Sequence, residues 1–177
     1  MTKARVATLW RDGCSGCHMS FLDMDERLLE IAPLIDLVYS PVVDAKEFPE
    51  NVDLALVEGA LANEEDIEKI LKVRTRSTVL AALGDCAVTG NVPAMRNSFV
   101  LEEVLKRGYE ENATANPGTP TKEVPRLERK VIPLHELVKV DLYIPGCPPK
   151  ADDIYYVLSE ILAGRTPDMT TRCRFGN

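Results

Sequence analysis

The chain has 177 residues, of which 45% are hydrophobic and 28% charged, and 28 acidic against 21 basic side chains give a formal net charge of −7. That excludes a disordered or collagen-like chain and predicts a single domain over 1–177 with a proper core. The acidic balance argues against nucleic acid or an anionic membrane as partner, and neither a membrane span nor a secretory signal is visible, so a cytoplasmic protein is expected.

Val6 to Trp10 reads as a short buried strand. After the turn Arg11-Asp12-Gly13, apolar residues recur at Phe21, Met24, Leu28 and Ile31 with helical spacing, and Pro33 stops them. Ile35–Tyr39 and Val52–Val57 are the second and third strands, the latter running into Glu58-Gly59-Ala60. Asn63 is placed to cap the next helix; Glu64, Glu65 and Asp66 load its first turn, and Lys69 to Arg76 its end, matching the macrodipole. Thr78–Leu83 is a fourth strand, closed by Gly84. Ser98 is the expected cap of a helix carrying Leu101, Val104 and Leu105, with Gly108 as its stop. The stretch 110–130, rich in Pro, Gly, Thr and charge, reads as an irregular excursion. Asp141–Ile144 is a fifth strand, and Pro148-Pro149 precede a helix with Ile154, Val157, Leu158 and Ile161 on one side. The tail after Arg165 has no periodicity. Trp10, Phe21 and Met24 are expected in the core and His135 at the surface. Strands separated by helix-sized crossovers predict an α/β protein: three layers around a flavodoxin-like, doubly wound parallel sheet.

Five cysteines stand at 14, 17, 86, 147 and 173. In a chain of this size a disulfide scaffold is not the expected use; metal ligation or thiol chemistry is. Cys14 and Cys17 follow the first strand, Cys86 the fourth and Cys147 the fifth. In an open parallel sheet the loops after the strands' carboxyl ends share one edge, so three distant loops deliver four thiols to one place. Four thiolates suit a zinc ion held by cysteines alone or a [4Fe–4S] cluster. Structural zinc usually takes two close Cys pairs, whereas here one pair is close and the others are separated by 68 and 60 positions, which favours the cluster. A thioredoxin-like dithiol at Cys14-x-x-Cys17 is the competing reading, and it leaves Cys86 and Cys147 without a role. Cys173 lies at no strand end and reads as incidental.

The stretches Trp10-Arg11-Asp12-Gly13-Cys14-Ser15-Gly16-Cys17-His18-Met19-Ser20, Val57-Glu58-Gly59, Gly84-Asp85-Cys86-Ala87-Val88-Thr89-Gly90-Asn91-Val92-Pro93 and Pro145-Gly146-Cys147-Pro148-Pro149 resemble the small subunit of a [NiFe]-hydrogenase. The short type found in soluble NAD-reducing hydrogenases is the nearest pattern, and the resemblance runs from about Arg5 to Gly164. The related quinone-reductase subunit of respiratory complex I shares the Pro-Gly-Cys-Pro-Pro element but carries adjacent cysteines at its first site, unlike Cys14-x-x-Cys17.

The resemblance implies that Cys14, Cys17, Cys86 and Cys147 hold one [4Fe–4S] cluster and that the Ni–Fe site lies in a partner large subunit. Electrons from H2 would pass through this cluster to diaphorase subunits carrying FMN and further iron–sulfur clusters, where NAD is reduced. Longer relatives continue into a domain with more clusters, which a chain ending at Asn177 is not expected to hold. No twin-arginine leader precedes the first strand, again an expectation of a cytosolic complex. No FMN is expected in this chain, because Cys14-x-x-Cys17 occupies the place of a phosphate loop.

Glu58, at the end of an apolar strand and in an element that resembles one facing the large subunit, is a candidate proton relay. The alternative for Glu58 is a solvated or cap-like acid. His18 is read as a hydrogen-bonding neighbour of the cluster or an exposed ring rather than a ligand. Asp12, Asp85, Thr89 and Asn91 stand in the cysteine loops, where they bond sulfur, meet a partner or simply make turns.

Overall fold

Strands that are apolar on both faces can be buried only between two layers of helix, and this chain alternates such strands with helices. The computed structural model describes residues 2–172. It runs through β1 (Ala4–Trp10), α1 (Gly16–Leu22), α2 (Arg27–Ile31), β2 (Ile35–Tyr39), β3 (Val52–Glu58), β4 (Leu61–Asn63), α3 (Glu64–Arg76) and β5 (Ser77–Leu83). It continues with α4 (Asp85–Thr89), α5 (Leu101–Lys106), β6 (Leu127–Ile132), β7 (Leu142–Ile144) and α6 (Ala151–Leu162). Five strands form one parallel sheet in the order β2-β1-β3-β5-β7, the flavodoxin-like winding expected from the crossovers.

Successive residues of each central strand feed opposite layers. In β3, Ala55 and Val57 join the cluster that holds Ile70 and Val73 of α3. Leu54 and Leu56 join the cluster that holds Phe21 of α1, Ile31 of α2, and Ile154, Val157 and Leu158 of α6. Because β1 and β3 lie side by side with Trp10 opposite Glu58, their carboxyl ends open together. The order of the chain reverses between these two strands, which is where a crevice forms in such sheets.

Several elements depart from expectation. The apolar stripe from Phe21 to Ile31 is not one helix but two short ones, because Asp25 takes a left-handed φ of 50° between them. Phe21, Met24 and Ile31 are nevertheless buried as predicted. Trp10 is 44% exposed rather than in the core: it is the last residue of β1, and its indole Nε1 reaches over the turn to Gly13 O at 3.2 Å. Ser98 caps nothing; it ends a 3-10 turn, Pro93–Ser98, and Val100 precedes α5. Gly108 does not stop the helix, since the chain continues through a wider π-type turn, Arg107–Glu111. The end of the 110–130 excursion is ordered as β6, antiparallel to β4. A three-residue strand and one reading Leu127-Glu128-Arg129-Lys130 lack the apolar alternation that would reveal them. His135 is exposed, as expected, and Cys173 lies outside the described residues.

Asn63 caps α3 as predicted, its Oδ1 accepting from Asp66 N at 3.0 Å. At the other end Arg74 bonds Ser77 O, Thr78 O and the Asp141 carboxylate, and Asp141 also accepts from Leu80 N at 3.0 Å. Burial alone would raise the Asp141 pKa, but the Leu80 amide and the Arg74 and Lys139 side chains outweigh it and hold the carboxyl down at about 2. A carboxyl depressed in the fold contributes stability above its unfolded pKa and loses it as pH falls through the folded value. Asp141→Asn is therefore expected to lower the denaturant midpoint at neutral pH, with the gap to the wild type closing as pH drops from about 4 to about 2. A midpoint difference that stays constant over that range contradicts the assignment.

Candidate metal centre

The cysteines lie where three strand ends meet. Beyond β1 the chain is strapped to the segment after β3: Arg11 N donates to Glu58 O at 2.8 Å, and Asp12 and Ala60 exchange two backbone bonds of 3.1 and 2.8 Å. Gly59, at φ 93°, is required there, since a Cβ would stand 2.6 Å from Arg11 C. This strap aims Cys14 outward and starts α1 two residues later, so Cys17 falls in the first turn of α1 and is buried while Cys14 is exposed. Cys86 sits in α4 directly beyond β5, half-buried, and Cys147 sits exposed in the loop after β7.

Backbone bonds lock these loops to one another. Gly84 N donates to Ile144 O at 2.8 Å, Asp85 N to Gly146 O at 2.9 Å, and Gly146 N to Asp85 Oδ1 at 2.7 Å. Ser20 of α1 donates its hydroxyl to Pro149 O, tying the Cys147 loop to the Cys17 helix. Gly84 brings the β5 loop against α1: a Cβ on it would lie 2.2 Å from Cys17 Sγ and 3.4 Å from Gly146 O. A Cβ on Gly16 would lie 3.2 Å from Cys14 Sγ and 3.9 Å from Pro148 Cβ. The convergence expected of the three loops is thus present.

The four thiols also act on one another electrically. Burial pushes the Cys17 thiol well above its ordinary range, followed by the Glu58 carboxylate and then Cys86, Cys14 and Cys147. Burial likewise raises Cys86, followed by Cys147 and Cys14, with a backbone hydrogen bond from Val92 opposing. The raised Cys17 and Cys86 thiols favour their protonated form until a cation compensates the charge, and a metal does so outright. Among the described residues the four are free thiols, and no three His, Cys, Asp or Glu side chains stand close enough to hold a single ion.

Glu58 lies directly beneath Cys17 and is 1% exposed. Its carboxylate accepts from Cys17 N at 3.4 Å and His18 N at 2.9 Å, the free amides of the first turn of α1, and contacts His18 Nδ1 at 2.5 Å. It is therefore a cap-like acid in tertiary form. His18 is buried and turned away from the thiols; its Nε2 lies 3.0 Å from Thr8 Oγ1, which donates its single hydrogen to Ser40 Oγ at 2.8 Å. The imidazole is thus held from both sides, by Glu58 at Nδ1 and by Thr8 at Nε2. Sequence reading names Glu58 and His18 but neither Thr8 nor Ser40, because nothing in two isolated hydroxyl residues 32 positions apart signals a pairing.

Of the polar residues in the cysteine loops, Asn91 is the one whose side chain bonds a sulfur, with Nδ2 at 3.4 Å from Cys147 Sγ. Thr89 bonds Asp85 O, and Asp85 holds the Gly146 amide.

The family model described as "NADH ubiquinone oxidoreductase, 20 Kd subunit" matches residues 14–161, from the first cysteine of the site to the last turn of α6. The chain belongs to this family. Within it, similarity lies on the hydrogenase side, as the motifs suggest. The delta subunit of the NAD-reducing hydrogenase HoxS of Cupriavidus necator is 44% identical over 94% of this chain and 82% of that protein. A subunit of the F420-non-reducing hydrogenase vhu of Methanocaldococcus jannaschii is 41% identical over 95% of this chain but only 59% of its own length. Among solved structures, a chain of an NAD+-reducing [NiFe]-hydrogenase in the H2-reduced state superposes with a TM-score of 0.94 at 39% identity, covering 98% of this chain and 99% of that one. Among the described residues, no helix is long and apolar enough to cross a membrane.

Proposed function

We propose that this chain is the electron-transfer small subunit of a cytoplasmic [NiFe]-hydrogenase, that Cys14, Cys17, Cys86 and Cys147 hold one [4Fe–4S] cluster, and that the final acceptor is NAD. The observation that carries the proposal is the convergence of three locked loops bearing four free thiols at the carboxyl edge of the sheet, in a chain of this family. The donor set is all sulfur, the usual one for a [4Fe–4S] cluster.

A bound cluster supplies one-electron transfer. The residues of this chain fix its place and surroundings. Gly84 and Gly16 leave room for close approach, the strap at Arg11 to Ala60 sets the outward aim of Cys14, and Glu58 pins the amides that carry Cys17. Glu58 and His18, in contact beneath Cys17, are the groups through which a proton can move near the site. Cys14 and Cys147 are exposed, and Trp10 and Met19 stand 44% and 58% exposed on the segment that carries Cys14 and Cys17. An open edge of this kind fits a large subunit with the Ni–Fe site. Electrons would leave toward diaphorase subunits carrying FMN and further clusters.

The test is purification of the assembly without oxygen. Large and diaphorase subunits are expected to co-purify, and beyond the iron those subunits carry, this chain is expected to contribute about four iron and four sulfide per copy. Cys147→Ala is expected to lose most of this chain's contribution of about four iron and to abolish H2-dependent NAD reduction. A colourless protein with one zinc per chain, or a Cys147→Ala variant with full iron, overturns the proposal.

A further inference from the structure

The short turn after α4 does more than link two elements. Gly90 and Asn91 both take left-handed backbone conformations, with φ of 85° and 32°. This bends the chain back over the site and brings the Asn91 side chain to a cysteine of another loop. Asn91 Nδ2 donates to Cys147 Sγ, across 56 positions of sequence, at 3.4 Å. Asn91 is itself half-buried.

The geometry points to Asn91 as a residue that sets the reduction potential of the group at this site, through its N–H···S bond to Cys147. The inference rests on the cluster reading given above. When a sulfur-ligated iron group takes up an electron, part of the added charge falls on the thiolate sulfurs. A hydrogen-bond donor therefore stabilises the reduced state more than the oxidised one and raises the potential. Asn91 touches one cysteine only and leaves the iron count to the four thiols, so it acts as a positioning and tuning residue rather than a ligand.

A purely local explanation exists for an asparagine here, because Asn tolerates a left-handed backbone better than most residues. Two variants separate the explanations. Asn91→Gly is at least as comfortable at positive φ and removes the donor. Asn91→Asp keeps shape and backbone tolerance while replacing the donor by an acceptor bearing negative charge. The measurement is a redox titration of the intact assembly, followed by the reduced-state EPR signal that Cys147→Ala removes, with iron counted in parallel. Both variants are expected to keep wild-type iron and to shift the midpoint downward, Asn91→Asp further than Asn91→Gly. Full iron with an unmoved midpoint in both variants overturns the inference while leaving the cluster reading intact. Should both variants lose iron, wild-type protein labelled with 15N at the asparagine side-chain amide decides: a weak 15N coupling in the reduced EPR signal supports the bond, and none overturns it. A wild-type assembly with no iron–sulfur signal overturns the cluster reading and this inference with it.

Discussion

Gly84→Ala is expected to empty the site of iron while leaving the rest of the sheet folded. Two physical effects act together. Gly84 stands at φ 81° and ψ 163°, a conformation that an L side chain adopts only under strain of about 1–3 kcal/mol. The added methyl would also stand 2.2 Å from Cys17 Sγ, inside any allowed contact between carbon and sulfur. Neither partner can retreat freely. Gly84 N is bonded to Ile144 O at 2.8 Å, and Cys17 sits in a helical turn whose amides are held by Glu58. The β5 loop must therefore move off α1 and carry Cys86 with it, breaking up the four-sulfur set. Iron per chain is expected to fall to a small fraction of wild type, with a lowered melting temperature and a nearly unchanged far-UV circular dichroism spectrum. Gly108→Ala is the matched control. Nothing stands within 4 Å of its Cβ position, so iron should be unaffected. Equal iron in the Gly84 variant and the wild type contradicts the close packing of the β5 loop on Cys17.

The large features of this fold were legible because they rest on periodicity. β1, β3 and β5 announce themselves as apolar runs, α3 by its Asn63 cap and charge gradient, and α6 by the stripe from Ile154 to Ile161. The convergence of Cys14, Cys17, Cys86 and Cys147 follows from topology alone, since loops after parallel strands share an edge. What stayed hidden is whatever depends on single long-range contacts. β6 is charged and pairs with a strand of three residues, so its signal lies wholly in its partner. The break between α1 and α2 rests on one left-handed aspartate, Asp25, which no apolar pattern encodes. Trp10 looks like a core residue by type, yet its position one step past the last buried residue of β1 leaves it over the turn. Within the site, residue types flagged Asn91 and His18 as neighbours of the sulfurs. Only the fold decides that one donates to Cys147 and the other turns inward to Glu58 and Thr8.

Glu58→Ala is expected to be the most destabilising single substitution outside the cysteines and glycines of the site. The carboxylate is 1% exposed, accepts from two backbone amides and contacts one imidazole nitrogen. Removing one member of a buried pair typically costs about 3–5 kcal/mol, because the partner is left desolvated without compensation. For a chain of this length that corresponds to a fall in melting temperature on the order of 10 °C. The damage should be local first. Hydrogen exchange at the Cys17 and His18 amides should rise sharply, while amides of Ala55 to Val57 at the centre of the sheet keep their protection. A melting temperature within about 2 °C of wild type, less than 1 kcal/mol, contradicts the anchoring role. Glu58→Gln separates anchoring from proton movement. The amide retains an oxygen for the helix amides but places an N–H2 group where an acceptor is needed, so a smaller loss of about 1–3 kcal/mol is expected. With its iron intact, such a variant should exchange H2 with D2O more slowly than wild type if protons pass between Glu58 and His18. An unchanged exchange rate leaves Glu58 with its structural task alone: holding in place the turn of helix that delivers Cys17.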